Sequence, residues 1–351
     1  MQSVLNIGNF ELKNWARPFI MAEVGLNHNG ELAKAFEMIE AAKNCGVDAV
    51  KFQTFSAAEF VGDPKQTYTY KSQGKEVTEC MLDMFQRCEF HGADWDKIKK
   101  KCQDEGVMFL SSPQNVSDLN ELLRVGVPAI KVGSDDFVNT ELLKAYAETK
   151  LPLMVSCGMS DLGEVYRSLE AIGTFDGYPT VLFLCTSEYP TPPESVNMRK
   201  LRTLMEAFPG LPLGFSDHTE GSLAAALAVS YGACIFEKHF TLSHDLPGPD
   251  HWFSADPAGL KAWVDAIRTA HKMLGSPLVR PTKAEAEMRT LARRSIVALR
   301  DIASGEILGP ENIGLRRPGN GLPSSFMGEI SGRRASSALK NGQLIKIGDF
   351  A

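Results

Sequence analysis

The chain has 351 residues, 44% hydrophobic and 23% charged, with a formal net charge of −6. This is enough material for one large domain and a small one, and the negative balance argues against nucleic acid or an anionic membrane surface as the main partner. No apolar run approaches the roughly 20 residues of a membrane span, and the N-terminal MQSVLNIGNFELKNW lacks a signal-peptide layout, so a cytoplasmic protein is expected.

From residue 19 onward, apolar runs of strand length alternate with amphipathic segments of helix length. The predicted strands, in order, are FIMAEVG, DAVKFQTF, VMFLSSP, AIKVGS, PLMVSCG, TVLFLC, PLGFSDH and CIFEKHF. The first helix places Leu32, Phe36, Ile39 and Ala42 on one face, and Gly46 stops it. Further helices are predicted to begin near Ala93, Val116, Asn139, Leu162, Ser195, Ser222 and Pro257. Strand–helix repeats spread over about 275 residues predict a (β/α)8 TIM barrel. An open doubly wound sheet is the alternative, disfavoured because no GxGxxG follows the first strand. One insertion, residues 56–92, separates the second strand from its helix on the side where barrel loops build active sites.

The character changes after Leu274. Residues 276–290 read as a linker between a barrel domain at 1–275 and a small β-rich domain at 291–351. In the latter, short pieces (SIVAL, EIL, IGLRR, QLIKI) sit between Gly, Asn and Pro turns. Seven cysteines without a CxxC pair are expected to be reduced thiols.

In a barrel, polar residues at strand C-termini are the candidates for chemistry. Here the strands end with Glu23; Lys51 and Gln53; Ser111 and Ser112; Lys131 and Ser134; Ser156; Thr186 and Ser187; Ser216, Asp217 and His218; and Glu237, Lys238 and His239. A charge inside an apolar run is costly unless it is paired, so the whole ring points to function more strongly than any one member does. His218 and His239 end adjacent strands at matching heights, which suits an open divalent metal site better than a closed structural one. Taken singly, each histidine reads as well as a satisfied core residue. Lys51 and Lys131, with the hydroxyls of Ser112, Ser134, Ser156 and Ser216 nearby, suit a phosphate, a carboxylate or a small molecule bearing both. Glu23 and Asp250 are candidates for binding sugar hydroxyls or for proton transfer.

The stretches AEVGLNHNG, DAVKFQTF, AIKVGSDD, SCGM, SEYPTP, GFSDHT, EKHFTL and PGPDH, with RRPGNG beyond them, resemble the sialic acid synthases in order and spacing. That family makes nine-carbon nonulosonic acids from phosphoenolpyruvate and an amino sugar. The resemblance implies a C-terminal antifreeze-like (SAF) domain and a domain-swapped homodimer. It implies His218 and His239 as ligands of Mn2+ or Mg2+. Lys51, Lys131, Ser134, Ser156 and Ser216 would hold phosphoenolpyruvate. Glu23, Gln53, Tyr189, Glu237 and Asp250 would form the sugar and catalytic region, and Arg317 would reach across the dimer. Asp136, Ser187 and Ser112 stand where other members carry different side chains, which bears on the sugar accepted: N-acetylmannosamine, its 6-phosphate or a diacetamido-trideoxyhexose. The glycan that receives the product, spore coat polysaccharide among the possibilities, stays open. The implied reaction has the metal polarise the sugar aldehyde, the C3 carbon of phosphoenolpyruvate attack it, water add at C2 and phosphate leave by C–O cleavage.

Competing readings are a Schiff-base aldolase using Lys51, Lys131 or Lys238, a non-enzymatic carbohydrate- or ice-binding module built on the C-terminal domain, and a related phosphoenolpyruvate-condensing sugar-acid synthase.

Overall fold

Short runs rich in β-branched and aromatic residues form the eight parallel strands of a barrel in the computed structural model, which describes residues 4–351. Residues 1–3, the start of the stretch read above for a signal peptide, lie outside the described residues. The barrel strands are Phe19–Gly25 (β1), Ala49–Thr54 (β2), Met108–Pro113 (β3), Ile130–Val132 (β4), Leu153–Ser156 (β5), Thr180–Cys185 (β6), Leu213–Asp217 (β7) and Ile235–His239 (β8). Their ladder runs β3-β2-β1-β8-β7-β6-β5-β4. β3 and β4 lie side by side without a ladder and complete the circle.

Nearly every strand residue is buried, as expected for a sheet with side chains inside and helices outside. The helix Leu32–Cys45 ends at Gly46, whose φ of 88° is a left-handed conformation that glycine adopts without strain. Helices of the other units run over Ala93–Glu105, Val116–Val125, Thr140–Glu148, Leu162–Ile172, Arg199–Ala207, Leu223–Ser230 and Pro257–Leu274. Their apolar faces pack on the outward side chains of the strands in one large core.

Two features escape the strand–helix count. A hairpin, Leu5–Ile7 with Phe10–Leu12, turns at Gly8 and Asn9. Its Leu5, Ile7 and Leu12 pack with Phe19, Met21, Ala49, Leu110, Ala129, Met154, Val181, Phe183 and Ile235, closing the N-terminal end of the barrel. The insertion after β2 holds a second antiparallel hairpin, Thr67–Ser72 with Lys75–Cys80, between the short helices Ala57–Phe60 and Met81–Gln86.

The chain divides into two compact units, Met1–Gly275 and Ser276–Ala351. In the second, Ser295–Ala298 pairs antiparallel with Ile313–Arg316, and single bridges join Val297 to Leu344 and Ile307 to Arg334. Ile296, Ile302, Leu308, Ile313, Ile330, Leu339 and Ile345 form its core. The stretch expected as a linker carries most of a helix, Lys283–Ala292, opened by a capping box between Thr282 and Glu285. All seven cysteines are free. No helix among the described residues is long and apolar enough to cross a membrane.

Candidate active site

The strand C-termini surround a cavity of about 730 Å³. Strand alternation decides which polar residues reach it. Glu23, Lys51, Gln53, Ser112, Lys131, Ser156, Ser216, His218, Glu237 and His239 all line the cavity, joined from the following loops by Ser134, Ser187, Tyr189 and Asp250. Their strand neighbours of opposite parity point outward. Ser111 bonds Thr54 at 2.7 Å. Asp217 accepts from the Trp263 indole at 2.8 Å and pairs with Lys238 at 3.5 Å, outside the cavity lining. Lys238 therefore lies outside the cavity. Of the three lysines considered for a Schiff base, two remain.

One predicted site residue falls elsewhere. Asp136 is absent from the cavity lining, whereas its neighbour Asp135 is part of it. β4 ends at Val132, so strand parity no longer orients the residues after it. Arg317 stands exposed in the second unit, before a cis peptide bond to Pro318.

The floor of the cavity is a buried charge network. The Lys51 ammonium lies 2.7 Å from Glu23 Oε2 and donates to Ser112 Oγ at 3.2 Å. The Lys131 ammonium donates to Ser156 Oγ at 2.7 Å and to the Val132 carbonyl at 3.0 Å, with Glu237 Oε2 at 3.7 Å. Gln53 donates to Glu23 at 2.9 Å, and Ser216 donates to Glu237 at 3.2 Å. Burial raises Glu23 above its ordinary carboxyl value, against the opposing pull of Lys51. Burial also works against the charge of Lys51, but Glu23 and Glu237 outweigh it and hold the ammonium above its usual range. For Lys131 burial prevails, and its value falls. Two cations and two carboxylates, all nearly sealed from water, balance one another.

Above this floor sit the imidazoles. Glu237 pairs in register with Ser216, which sets His218 and His239 at one height, with ring centres 5.4 Å apart. His218 Nδ1 lies 2.8 Å from the Thr186 carbonyl, a contact that makes Nδ1 the donor and leaves Nε2 free to bind a ligand. His239 Nδ1 is buried without a hydrogen-bond partner, 3.9 Å from Asp250 Oδ2. Burial, then the charges of His218 and Lys51, holds His239 well below the usual histidine range, hence neutral. The inward-facing imidazoles, His239 neutral and carrying an orphaned nitrogen, fit a divalent cation. Among the described residues no group of three His, Cys, Asp or Glu is arranged as metal ligands, so an ion here would rest on this pair with its other positions open. Tyr189 packs 4.1 Å from the His218 ring and 4.9 Å from Phe253. Asp250 is pushed up to about 7 by burial and then by Glu23.

Sequence reasoning missed several lining residues. Cys185 sits 3.9 Å from His218 Nδ1. Tyr68, Tyr70, Lys71 and Glu76 come from the inserted hairpin. That hairpin is tied to the loop after β8: Ser72 accepts from the Gly248 amide at 3.1 Å, Gln73 donates to the Asp245 carbonyl at 2.8 Å, and Lys71 lies 4.8 Å from the Trp252 ring centre. The signal was present in TYTYKSQGKEVTEC, whose alternation breaks at a Gln-Gly turn.

A (β/α)8 barrel with lysines, carboxylates and a histidine pair at its strand C-termini has the architecture of an enzyme active site. Family comparison is consistent with this: the NeuB family matches residues 38–278 and the SAF domain residues 293–351. The N,N'-diacetyllegionaminic acid synthase of Legionella pneumophila is 38% identical, covering 92% of both chains. The pseudaminic acid synthase of Campylobacter jejuni is 34% identical over 99% of this chain and 100% of its own. The N-acetylneuraminic acid (sialic acid) synthetase of Leptospira borgpetersenii, solved in complex with citrate, superposes with a TM-score of 0.73 at 30% identity, covering 82% of this chain and 95% of that one. The chain belongs to the NeuB family, that is, to the sialic acid synthases, and its second unit is a SAF domain.

Proposed function

We propose that the enzyme condenses phosphoenolpyruvate with the open-chain aldehyde of an N-acylated amino sugar, forming a nonulosonic acid and inorganic phosphate. The observation that carries this reading is the stacking of two sites in one cavity, a pair of buried ammonium groups below and a pair of inward-facing imidazoles above. Lys51 and Lys131, with Ser112, Ser134, Ser156 and Ser216, hold the phosphate and carboxylate of phosphoenolpyruvate by charge-assisted hydrogen bonds. His218 and His239 would hold Mn2+ or Mg2+, which when bound acts as a Lewis acid toward the sugar aldehyde.

The residues then order a balanced exchange. The C3 carbon of phosphoenolpyruvate forms a bond to the aldehyde carbon, whose oxygen gains a proton, and positive charge develops at C2. Glu23 faces that charge and orients the water that adds there. The water gives up a proton and leaves a hydroxyl on C2. As that hydroxyl becomes the C2 ketone the C2–O bond to phosphate breaks, the hydroxyl proton leaving with the phosphate. Glu237 anchors Lys131 and Ser216, Gln53 fixes Glu23, and Tyr189, Ser187 and Asp250 bound the sugar. The reading includes a homodimer in which Arg317 of one copy serves the barrel of the other. Mixing inactive His239→Ala and Arg317→Ala chains would then restore part of the activity, provided subunits exchange.

The test is phosphate release from phosphoenolpyruvate with a panel of amino sugars, with and without chelator. Release that needs both substrates and is abolished by chelator supports the reading. Chelator-resistant turnover with borohydride trapping on Lys51 or Lys131 would replace it with the aldolase.

A further inference from the structure

Building on the divalent-cation reading above, we propose that Asp217 and Lys238 are positioning residues: a strut behind the barrel wall that fixes the spacing of His218 and His239 and so sets how tightly that pair holds the ion. Neither residue lines the cavity, and the proposed chemistry uses neither. Yet each is the direct chain neighbour of one of the two histidines, and the two pair in register across β7 and β8. Both are buried, Asp217 at 1% and Lys238 at 6% exposure, beneath the Trp263 side of the helix Pro257–Leu274.

The polar atoms of the pair converge on the turn that follows His218. Asp217 Oδ1 accepts from the Thr219 amide at 2.8 Å and from the Thr219 hydroxyl at 2.7 Å, while Oδ2 accepts from the Trp263 indole. The Lys238 ammonium crosses from β8 and donates to the Thr219 carbonyl. Thr219 is thus held by amide, hydroxyl and carbonyl at once. A parallel bridge ties it to Thr191, whose amide donates to the His218 carbonyl at 2.8 Å. On the other strand the Ala255 amide donates to the His239 carbonyl at 2.8 Å. Lys238 is the side-chain link between these two clamped backbones. Stability alone does not account for the pair, because a buried ion pair gains little over apolar residues of similar size. Phe215 and Phe236, two residues earlier on the same outward faces, are apolar and fully packed. A fixed tie to the turn after His218 is what an apolar residue cannot supply. A site with two protein ligands depends on that tie more than a closed site does, since no third ligand corrects their spacing.

The experiment titrates Mn2+ into the full-length protein and reads the unbound ion by its EPR signal, with melting temperature and phosphate release measured on the same samples. Lys238→Met should weaken Mn2+ binding about tenfold, the lower end of what a group behind the ligands contributes. Its turnover should recover in excess Mn2+, and its KM for phosphoenolpyruvate should stay within about twofold of wild type. Adding Asp217→Asn removes the buried charge left unpaired, so the melting temperature should return to the wild-type value while Mn2+ binding stays weak. Ile267→Ala opens a cavity under the same helix without touching the strut, and it should lower the melting temperature and leave Mn2+ binding unchanged. Wild-type Mn2+ affinity in the folded double variant overturns the inference. So does an equal loss of affinity in Ile267→Ala, which would make the site merely sensitive to stability. Wild-type protein that binds Mn2+ no better than His239→Ala overturns the metal reading and this inference with it. The binding measurement needs no turnover, so it stays decisive even where the condensation fails.

Discussion

The floor and the mouth of the barrel are made by the same strands, and the distance between them is two residues. Met21 faces the closed end, and Glu23 faces the cavity; the same step separates Ala49 from Lys51, Leu110 from Ser112, Ala129 from Lys131, Met154 from Ser156, Phe183 from Cys185 and Ile235 from Glu237. Two residues advance a strand by about 7 Å, one layer of a barrel interior. One layer is packed by dispersion and burial, and the next is held by paired charges. Stability and chemistry therefore occupy adjacent layers, and substitutions in one should leave the other largely alone.

The largest expected effect belongs to the mouth. His239→Ala should lower turnover at least about 1,000-fold, equivalent to about 4 kcal/mol of transition-state stabilisation, with no loss of thermal stability. Phosphate release and calorimetry on the same sample check both halves, and a falling melting temperature would break the separation of layers. From the other side, Ile7→Ala in the N-terminal hairpin should cost about 2–5 kcal/mol in urea unfolding. Its KM for phosphoenolpyruvate should stay within about twofold under conditions where the variant is folded.

A smaller effect sharpens the description of the charged layer. Lys51→Met should raise the KM for phosphoenolpyruvate by about 10–100-fold, the worth of a charged hydrogen bond. It also leaves Glu23 buried without its partner and therefore destabilises. Adding Glu23→Gln should return stability to the wild-type level or above, because a buried ion pair gains little over a neutral replacement, while activity stays lost.

An effect of similar size separates the two ends by pH. His28, in the loop after β1, is fully buried against Phe90, and burial followed by the charge of Lys34 lowers it to about 3. Below its unfolded value near 6.5 the unfolded chain takes up a proton that native His28 refuses. Its contribution is thus complete above about pH 6.5 and lost as pH falls toward 3, at about 1.4 kcal/mol per unit. Urea titrations between pH 6.5 and 4.5 should show His28→Gln with a shallower acid slope than wild type. Ile7→Ala, in a layer with almost nothing to titrate, should keep the wild-type slope.

The barrel was legible because its strands are continuous apolar runs, each stopped by polar residues, and that pattern survives without any tertiary knowledge. The N-terminal hairpin was not, because two strands of three residues are too short to show a period. Most of the site was legible for the same reason as the barrel. Lys238 was misplaced beside Glu237 because the sequence gives the height of a residue on a strand but not its parity until the ladder is fixed. Asp136 was read as a site residue where no strand parity exists to tell it from Asp135. The wall from the inserted hairpin depends on contacts across about 175 residues of chain, such as Ser72 with Gly248, and nothing local announces them.

The hairpin that seals the floor also sets the traffic. With one end shut, the cavity opens at the other, and Lys51 and Lys131, only 3% and 2% exposed, lie at the far end of the route. On the proposed chemistry phosphoenolpyruvate must therefore load before the sugar covers it, and both substrates enter and both products leave by that one opening. Inorganic phosphate, released where its parent ester was held, departs after the nine-carbon product has cleared the way. A closed floor makes turnover a queue: the first substrate in supplies the last product out, so phosphate should inhibit by competing with phosphoenolpyruvate and not with the sugar.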